Sequence, residues 1–184
     1  MARTILKSRR RVYLALASVG LLALIVVGTA YAITSSSFKY SSTKTGYLSV
    51  SNMDFIPDSD NADYFNGWGD GLVDAQGECF NAGINLPSGA KIKSVTWFYE
   101  SGAASEFFGR FTRMDGPTAT GLDLVPSVSP LNDTGSPSSV TRNVPAANQA
   151  VNNAKYSYGI GACPGSDGVF NGARVKYTYK TAGS

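Results

Sequence analysis

Residues 91–99 read Lys-Ile-Lys-Ser-Val-Thr-Trp-Phe-Tyr, and this stretch decides the fold. Its inward-facing candidates are Ile92, Val95, Trp97 and Tyr99. Polar residues separate most of them, and the stretch is rich in β-branched and aromatic side chains. Such a pattern is typical of a strand with one face in an apolar core and the other in water. The stretch therefore predicts a half-buried β-strand.

Shorter segments with strand character lie on both sides, and residues 174–180 alternate most cleanly. Turns rich in Gly and Pro separate them, so we predict about eight short strands. No long helical pattern is present, and parallel strands need crossover connections that are usually helical. We therefore expect an all-β protein with a single antiparallel β-sandwich, jelly-roll-like in form. We also expect residues 101–105 to form the hairpin loop between the strands at 91–99 and 106–114.

The N-terminus has the three parts of an export signal. Five basic residues lie between Arg3 and Arg11, an apolar run follows at residues 12–27, and Ala30-Tyr31-Ala32 matches a signal peptidase site. We predict a signal peptide at residues 1–32, a flexible Ser/Thr-rich lead-in at 33–45 and the β-sandwich at 46–182. The protein is then secreted or displayed on the cell surface, in bacterial style.

Two details of the leader stay open. Its apolar stretch is about long enough to span a bilayer, so the alternative to cleavage is an uncleaved anchor. The membrane would then be contacted only through this N-terminal segment. A Sec-type signal is favoured, although residues 8–14 loosely resemble a twin-arginine signal.

The cysteine count agrees with export. Cys79 and Cys163 are the two cysteines of the chain. Exported domains meet an oxidising environment, so we predict a disulfide between them.

The formal charge of +3 belongs to the leader. Five of the 16 basic residues lie there, which leaves 11 basic against 13 acidic residues, a net charge of −2. The sequence shows no basic stripe after the leader, so nucleic acid is not expected as a partner.

One segment resembles a known type of domain. Residues 86–96, Leu-Pro-Ser-Gly-Ala-Lys-Ile-Lys-Ser-Val-Thr, are similar to an "LPxGAxIxSVT" strand found in bacterial exported β-sandwich domains of unassigned function. In those domains a "YLSV…F.P" segment precedes the strand and a tyrosine-rich strand pair closes the domain, as residues 47–57 and 156–179 do here. The resemblance implies a β-sandwich and carries over no catalytic residue.

No known catalytic motif is present. The chain has no histidine, which excludes Ser-His-Asp and Cys-His catalysis and His-based zinc or copper sites. It also lacks a phosphate-binding loop and a dinucleotide fingerprint. We therefore expect a protein that is not an enzyme and needs no cofactor, with calcium as the one candidate metal.

The calcium hypothesis rests on an acidic segment. Asp58, Asp60 and Asp63 are spaced so that their carboxylates can converge on a hard cation such as Ca²⁺. A solvated loop that keeps a sheet edge soluble is the alternative interpretation. The same carboxylates also allow a glycoside hydrolase with an acid pair, a further alternative.

Aromatic residues beside these acids suggest a ligand. Tyr64, Trp68 and Asp70 lie in a Gly-rich stretch, where aromatic rings can stack on sugars while the carboxylate bonds hydroxyls. The competing interpretation is that the rings cap the open end of the sandwich. We therefore expect a non-catalytic exported binding or structural module, with a glycan or another surface protein as its partner. A calcium-dependent glycan-binding module is the main alternative.

Overall fold

The computed structural model describes residues 40–60, 63–67, 71–74, 77–100, 107–131 and 136–182. The predicted signal peptide lies outside this set. The chain divides into two compact units, residues 42–181 and residues 1–41 with 182–184, and most of the second lies outside the described residues. In the described residues, no helix has the length and apolar character needed to cross a membrane.

The described residues form twelve strands and two short 3-10 turns, at Asn52–Asp54 and Ala146–Asn148. The strands are β1 Tyr40–Ser51, β2 Ile56–Pro57, β3 Tyr64–Gly67, β4 Gly71–Asp74, β5 Phe80–Ile84, β6 Lys91–Glu100, β7 Phe107–Asp115, β8 Gly121–Asp123, β9 Val128–Leu131, β10 Ser138–Asn143, β11 Tyr156–Cys163 and β12 Val169–Ala182. The expected number of about eight was too low because several strands have only two to four residues. The first strand begins at Tyr40, inside the segment predicted as a lead-in.

The strands form two six-stranded sheets. Sheet I has the order β10-β6-β12-β4-β3, with β1 also beside β12. Sheet II has the order β2-β5-β11-β7-β8, with β9 also beside β7. The pairs of known register, such as β10 with β6 and β11 with β5 and β7, are antiparallel. The predicted all-β class and antiparallel β-sandwich are confirmed.

The predicted hairpin between residues 91–99 and 106–114 is wrong. Strand β6 pairs with β10 and β12 in sheet I, whereas β7 pairs with β11, β8 and β9 in sheet II. The two strands therefore face each other across the core, where the rings of Tyr99 and Phe107 stack with centroids 4.4 Å apart. Alternation shows which face of a strand is buried, but it does not say to which sheet the strand belongs.

Trp97 connects the two sheets. Its side chain is fully buried, and its indole Nε1 donates a hydrogen bond of 3.2 Å to the backbone carbonyl of Gly161 in sheet II. The ring lies against Gly109 of β7, where an added Cβ would be 2.8 Å from Trp97 Cε2. The missing side chain at Gly109 therefore makes room for the indole.

The predicted disulfide is confirmed. Cys79 lies just before β5 and Cys163 ends β11, with their Cα atoms 4.2 Å apart and a sequence separation of 84. The bond fastens the lead-in of one strand of sheet II to the end of its neighbour. Disulfides of this kind are typical of exported proteins.

Charge is distributed unevenly over the sandwich. Five basic residues lie on the outer face of sheet I, at the ends and middle of β6 and β12: Lys91, Lys93, Arg174, Lys176 and Lys180. The expectation that the mature chain has no basic stripe is therefore wrong. The stripe escaped notice because its members are separated by up to 89 positions in sequence and meet only when β6 pairs with β12.

We expect Gly109→Ala to lower the free energy of unfolding by about 1–3 kcal/mol, since the new methyl group overpacks the core against Trp97. Urea denaturation measures this change. Gly121→Ala is the control, because an added Cβ there meets no heavy atom within 4 Å. Equal stability of the two variants would contradict the close approach of Trp97 to β7.

Removing the disulfide with Cys79→Ala and Cys163→Ala is expected to cost about 4–5 kcal/mol, because the unfolded chain regains the entropy of a loop of this length. Reduction of the unchanged protein should lower its melting temperature to that of the double variant. The reductant should leave the double variant itself unaffected. A shift of the double variant would show that the reductant acts elsewhere.

Candidate functional site

The outer face of sheet II has a floor of bare backbone. Along β11 the side chains of Tyr158 and Ile160 point into the core, so Gly159 and Gly161 face outward. Gly159 pairs with Gly83 of β5 on one side. Two neighbouring strands thus carry no side chain at the same level of the sheet.

Side chains from the flanking strands form the walls. Gly161 pairs with Asn81 on β5 and with Arg110 on β7. A Cβ at Gly161 would lie 3.0 Å from the Asn81 side-chain oxygen and 3.5 Å from Arg110 Cβ. On the next level, Gly159 pairs with Thr112. The glycine backbone therefore lies at the bottom of a trough that follows β11.

This trough is a groove of about 590 Å³. It is lined by Ile56, Asn81, Ala82, Gly83, Arg110, Thr112, Met114, Gly121, Ser157, Tyr158, Gly159 and Gly161. Small-molecule sites usually have about 300–1,000 Å³ and combine apolar walls with a few polar groups. The groove fits this description, since Ile56 and Met114 are exposed apolar side chains among polar ones.

The glycines of the floor are not required by the backbone. Gly83, Gly159 and Gly161 are absent from the described glycines with positive φ, so other residues can adopt their conformation. A Cβ at Gly83 would meet no atom within 4 Å, and one at Gly159 would make ordinary contacts of 3.6 Å. Glycine inside a strand weakens it, by roughly 0.5–1 kcal/mol relative to Ala, and often marks a close approach by a ligand.

Arg110 is the charged group of the groove wall. It forms an ion pair of 3.3 Å with Asp123 of β8, and both side chains are well exposed, at 61% and 41%. Exposed pairs of this kind contribute little to stability. A guanidinium has five N–H donors, so Arg110 keeps donors for a ligand while it contacts Asp123.

Lys155 lies close to sheet II, where its surroundings favour the protonated amine. Its ammonium lies 3.9 Å from the Asp115 carboxylate and 5.1 Å from the centre of the Tyr156 ring. The hydrogen bond with Tyr156, and then the charges of Tyr156 and Asp115, raise the pKa of Lys155 above its ordinary value. A raised pKa keeps the amine protonated, which is the opposite of what a nucleophilic or basic lysine needs.

The acidic residues predicted for calcium are not part of the groove lining. Asp58, Asp60 and Asp63 are exposed, and the Asp58 backbone N–H donates to the Cys79 carbonyl. In the described part of the chain, no group of three or more His, Cys, Asp or Glu side chains could hold a metal ion. The calcium hypothesis thus gains no support from the positions of these three residues.

Of the three residues predicted to stack on or bond a sugar, the structure describes Tyr64, which does not line the groove. Tyr64 lies on β3 of sheet I, and its ring makes an edge contact with the buried Phe80, centroids 5.1 Å apart. Its ring therefore covers part of the core. Trp68 and Asp70 lie outside the described residues.

Sequence reasoning missed the groove residues Asn81, Arg110 and Thr112. One signal was present: glycine at two successive outward positions of β11, 159 and 161, and at position 83 of the facing strand β5. Glycine carries no functional group, so these positions did not stand out as candidate site residues.

No family model matches the chain, and neither does any curated protein. Solved structures do show similarity. The C-terminal CBM6 module of LamC, a marine laminarinase from Zobellia galactanivorans, matches at 20% identity and a TM-score of 0.42, over 71% of this chain and 98% of that one. The xylan-binding module CBM15 matches at 13% identity and 0.46, over 72% and 97%.

A third similar structure is CBM86 of the gut symbiont Roseburia intestinalis, described as a low-affinity xylan-binding module. It matches at 16% identity and a TM-score of 0.42, over 75% of this chain and 96% of that one. These identities are low and the TM-scores are below 0.5, so the function argued below rests on the groove.

Proposed function

We propose that the domain is a non-catalytic module that binds a neutral oligosaccharide chain in the groove of sheet II. The observation that carries the proposal is the floor of glycine backbone between the walls at Asn81 and Arg110. It leaves a shaped, open space on a sheet face where side chains would otherwise stand.

The dimensions of the groove suit a short linear ligand. Three levels of paired residues follow one another along β11, at Gly161, Gly159 and Ser157. Alternate residues of a strand lie about 6.8 Å apart, so the floor extends over roughly 14 Å. A chain of a few sugar rings can lie along such a floor and contact the protein backbone directly.

The chemistry of the lining suits a polyhydroxyl ligand. The Asn81 amide, the Arg110 guanidinium and the Thr112 hydroxyl offer both donors and acceptors for sugar hydroxyls. The Thr112 hydroxyl makes only a long contact of 3.5 Å to the Gly159 carbonyl, which a ligand can replace. Ile56 and Met114 offer apolar surface for the C–H faces of the rings.

A binding role fits the groove better than hydrolysis does. Glycoside hydrolysis needs two carboxyl groups that face each other across the sugar, about 5–10 Å apart. None of the described lining residues is Asp or Glu, and the nearby Asp123 is paired with Arg110. For the same reason we propose that binding in this groove needs no calcium.

We expect Gly159→Val to abolish binding while the fold is retained. The new side chain projects into the groove, and a β-branched residue is compatible with the φ of this strand position. Isothermal titration calorimetry against a panel of soluble neutral polysaccharides, such as β-glucan, xylan and mannan, measures the loss. Melting curves report the fold.

Ser139→Val is the matched control. It adds a β-branched side chain at an exposed strand position on sheet I, away from the groove. This variant should bind as the unchanged protein does. If the panel shows no ligand at all, or if Gly159→Val keeps full affinity, the proposed function fails.

Arg110→Gln is expected to weaken binding by about ten-fold to one-hundred-fold, since hydrogen bonds from a charged donor contribute roughly 1.5–3 kcal/mol. Arg142→Gln, on β10 of sheet I, removes the same charge and should leave the affinity unchanged. Titrations with calcium and with a chelator should agree. An affinity that disappears with the chelator would support the calcium-dependent alternative instead.

A further inference from the structure

A second pocket lies on the opposite side of the sandwich, at one end of the basic face of sheet I. It has a volume of about 290 Å³ and is lined by Thr43, Gly89, Lys91, Lys93, Thr178, Tyr179 and Lys180. Three lysines and two threonines thus contribute to the lining of one small space. The groove of sheet II contributes no residue to it.

The strand pairing explains how the lysines meet. Lys91 at the start of β6 pairs with Thr178 of β12. Lys180 lies two residues further along β12, on the same face of the strand. Residues 91 and 180 therefore become neighbours although 89 positions separate them in sequence.

Lys93 is already held in position. Its Nζ donates a hydrogen bond of 2.9 Å to the Gln149 side-chain oxygen, and the Gln149 amide donates at 2.9 Å to the Val144 carbonyl. The ammonium has three donors, so two remain for a ligand. A cation fixed in this way costs less entropy to order when a ligand binds.

Among the described residues, no carboxylate forms an ion pair with these lysines. The two ion pairs found there are Arg110 with Asp123 and Lys155 with Asp115. The one acidic residue of β6, Glu100, lies nine residues from Lys91, or about 30 Å along the strand. The acidic residue of β6 therefore does not neutralise the positive charge of the lysines in the pocket.

The basic surface continues beyond the pocket. Arg174 and Lys176 are exposed on the same face of β12 as Lys180, each two residues from the next outward position. Outward residues follow one another at about 6.8 Å. The row of outward residues therefore carries three cations, with Thr178 between Lys176 and Lys180, and an extended ligand with several negative charges can contact more than one of them.

We propose that this pocket binds one sulfate or phosphate ester group of an anionic polysaccharide, with Lys176 and Arg174 contacting the continuing chain. Lysine ammonium groups and hydroxyls are suited to such oxyanions, because they supply charge and hydrogen-bond donors together. The site is separate from the groove of sheet II and does not depend on the function proposed for it.

The test compares dextran sulfate with unsubstituted dextran of the same length, by titration at low ionic strength. The protein should bind dextran sulfate, and the double variant Lys91→Gln, Lys180→Gln should weaken that binding by about one-hundred-fold, or about ten-fold per charged hydrogen bond lost. Melting curves of the variant should match those of the unchanged protein, since both side chains are exposed.

Lys155→Gln is the charge-matched control, because Lys155 is exposed but lies beside sheet II. It should leave the affinity for dextran sulfate unchanged. If Lys155→Gln and the double variant lost the same affinity for dextran sulfate per charge removed, binding would depend on the overall charge of the protein. That result would contradict the proposal that the pocket is the binding site. So would a failure of dextran sulfate to bind.

Two further measurements identify the ligand chemistry. Inorganic sulfate and inorganic phosphate are added as competitors at constant ionic strength, and displacement by one of them identifies the ester group. Displacement by neither overturns the pocket, and a DNA duplex that binds as tightly as dextran sulfate overturns the assignment to a polysaccharide. The Gly159→Val variant should retain binding of dextran sulfate, which separates this site from the groove.

Discussion

The contact of Trp97 with sheet II is the interaction on which the rest of the sandwich depends. The indole is the largest of the fully buried side chains, and it crosses from sheet I to donate its one hydrogen bond to the Gly161 carbonyl. Without that acceptor the buried N–H would cost roughly 1–3 kcal/mol. Without the space at Gly109, the ring could not come close enough to reach it. The distance between the sheets and the position of β11 are therefore set together.

The same contact supports the groove from below. Gly161 accepts the indole hydrogen bond with its carbonyl, while the outward side of its Cα forms part of the groove floor between Asn81 and Arg110. The disulfide at Cys163 holds the end of the same strand. A floor of glycine backbone would be flexible in an isolated strand, because glycine has the largest conformational freedom. Here it is held by pairing on both sides, by the core beneath it and by a covalent bond at its end, so the groove is formed before a ligand arrives.

The sequence was sufficient to predict one strand, the fold class and the disulfide, because in each case side chains carry the information. In residues 91–99 the order of apolar and polar side chains indicates which face of the strand is buried, so the strand and the fold class were predicted correctly. The disulfide was predicted correctly because Cys79 and Cys163 are the two cysteines of a chain with an export signal. Strand partners were not, because the hairpin expected after Tyr99 and the actual crossing to Phe107 bury the same face of each strand. The groove was not predicted, because its central residues are glycines. Glycine has no side chain, so these positions form no chemical motif in the sequence.

Composition directed attention to the acidic segment and not to the basic residues of sheet I, because it adds up charges along the sequence instead of over surfaces. Acidic residues cluster in one segment, around Asp58 and Asp63, and so they are visible in the sequence; the structure leaves them exposed on a loop. The basic residues of sheet I are scattered from Lys91 to Lys180, and the pairing of β6 with β12 collects them on one face. A net charge near zero therefore conceals two surfaces of different character, a nearly neutral groove on sheet II and a cationic face on sheet I. Because electrostatic attraction acts over about 10 Å at ordinary ionic strength, the charges of one face have little influence on a molecule at the opposite face. One small sandwich can for this reason present two independent binding surfaces, and strand register decides which residues belong to each.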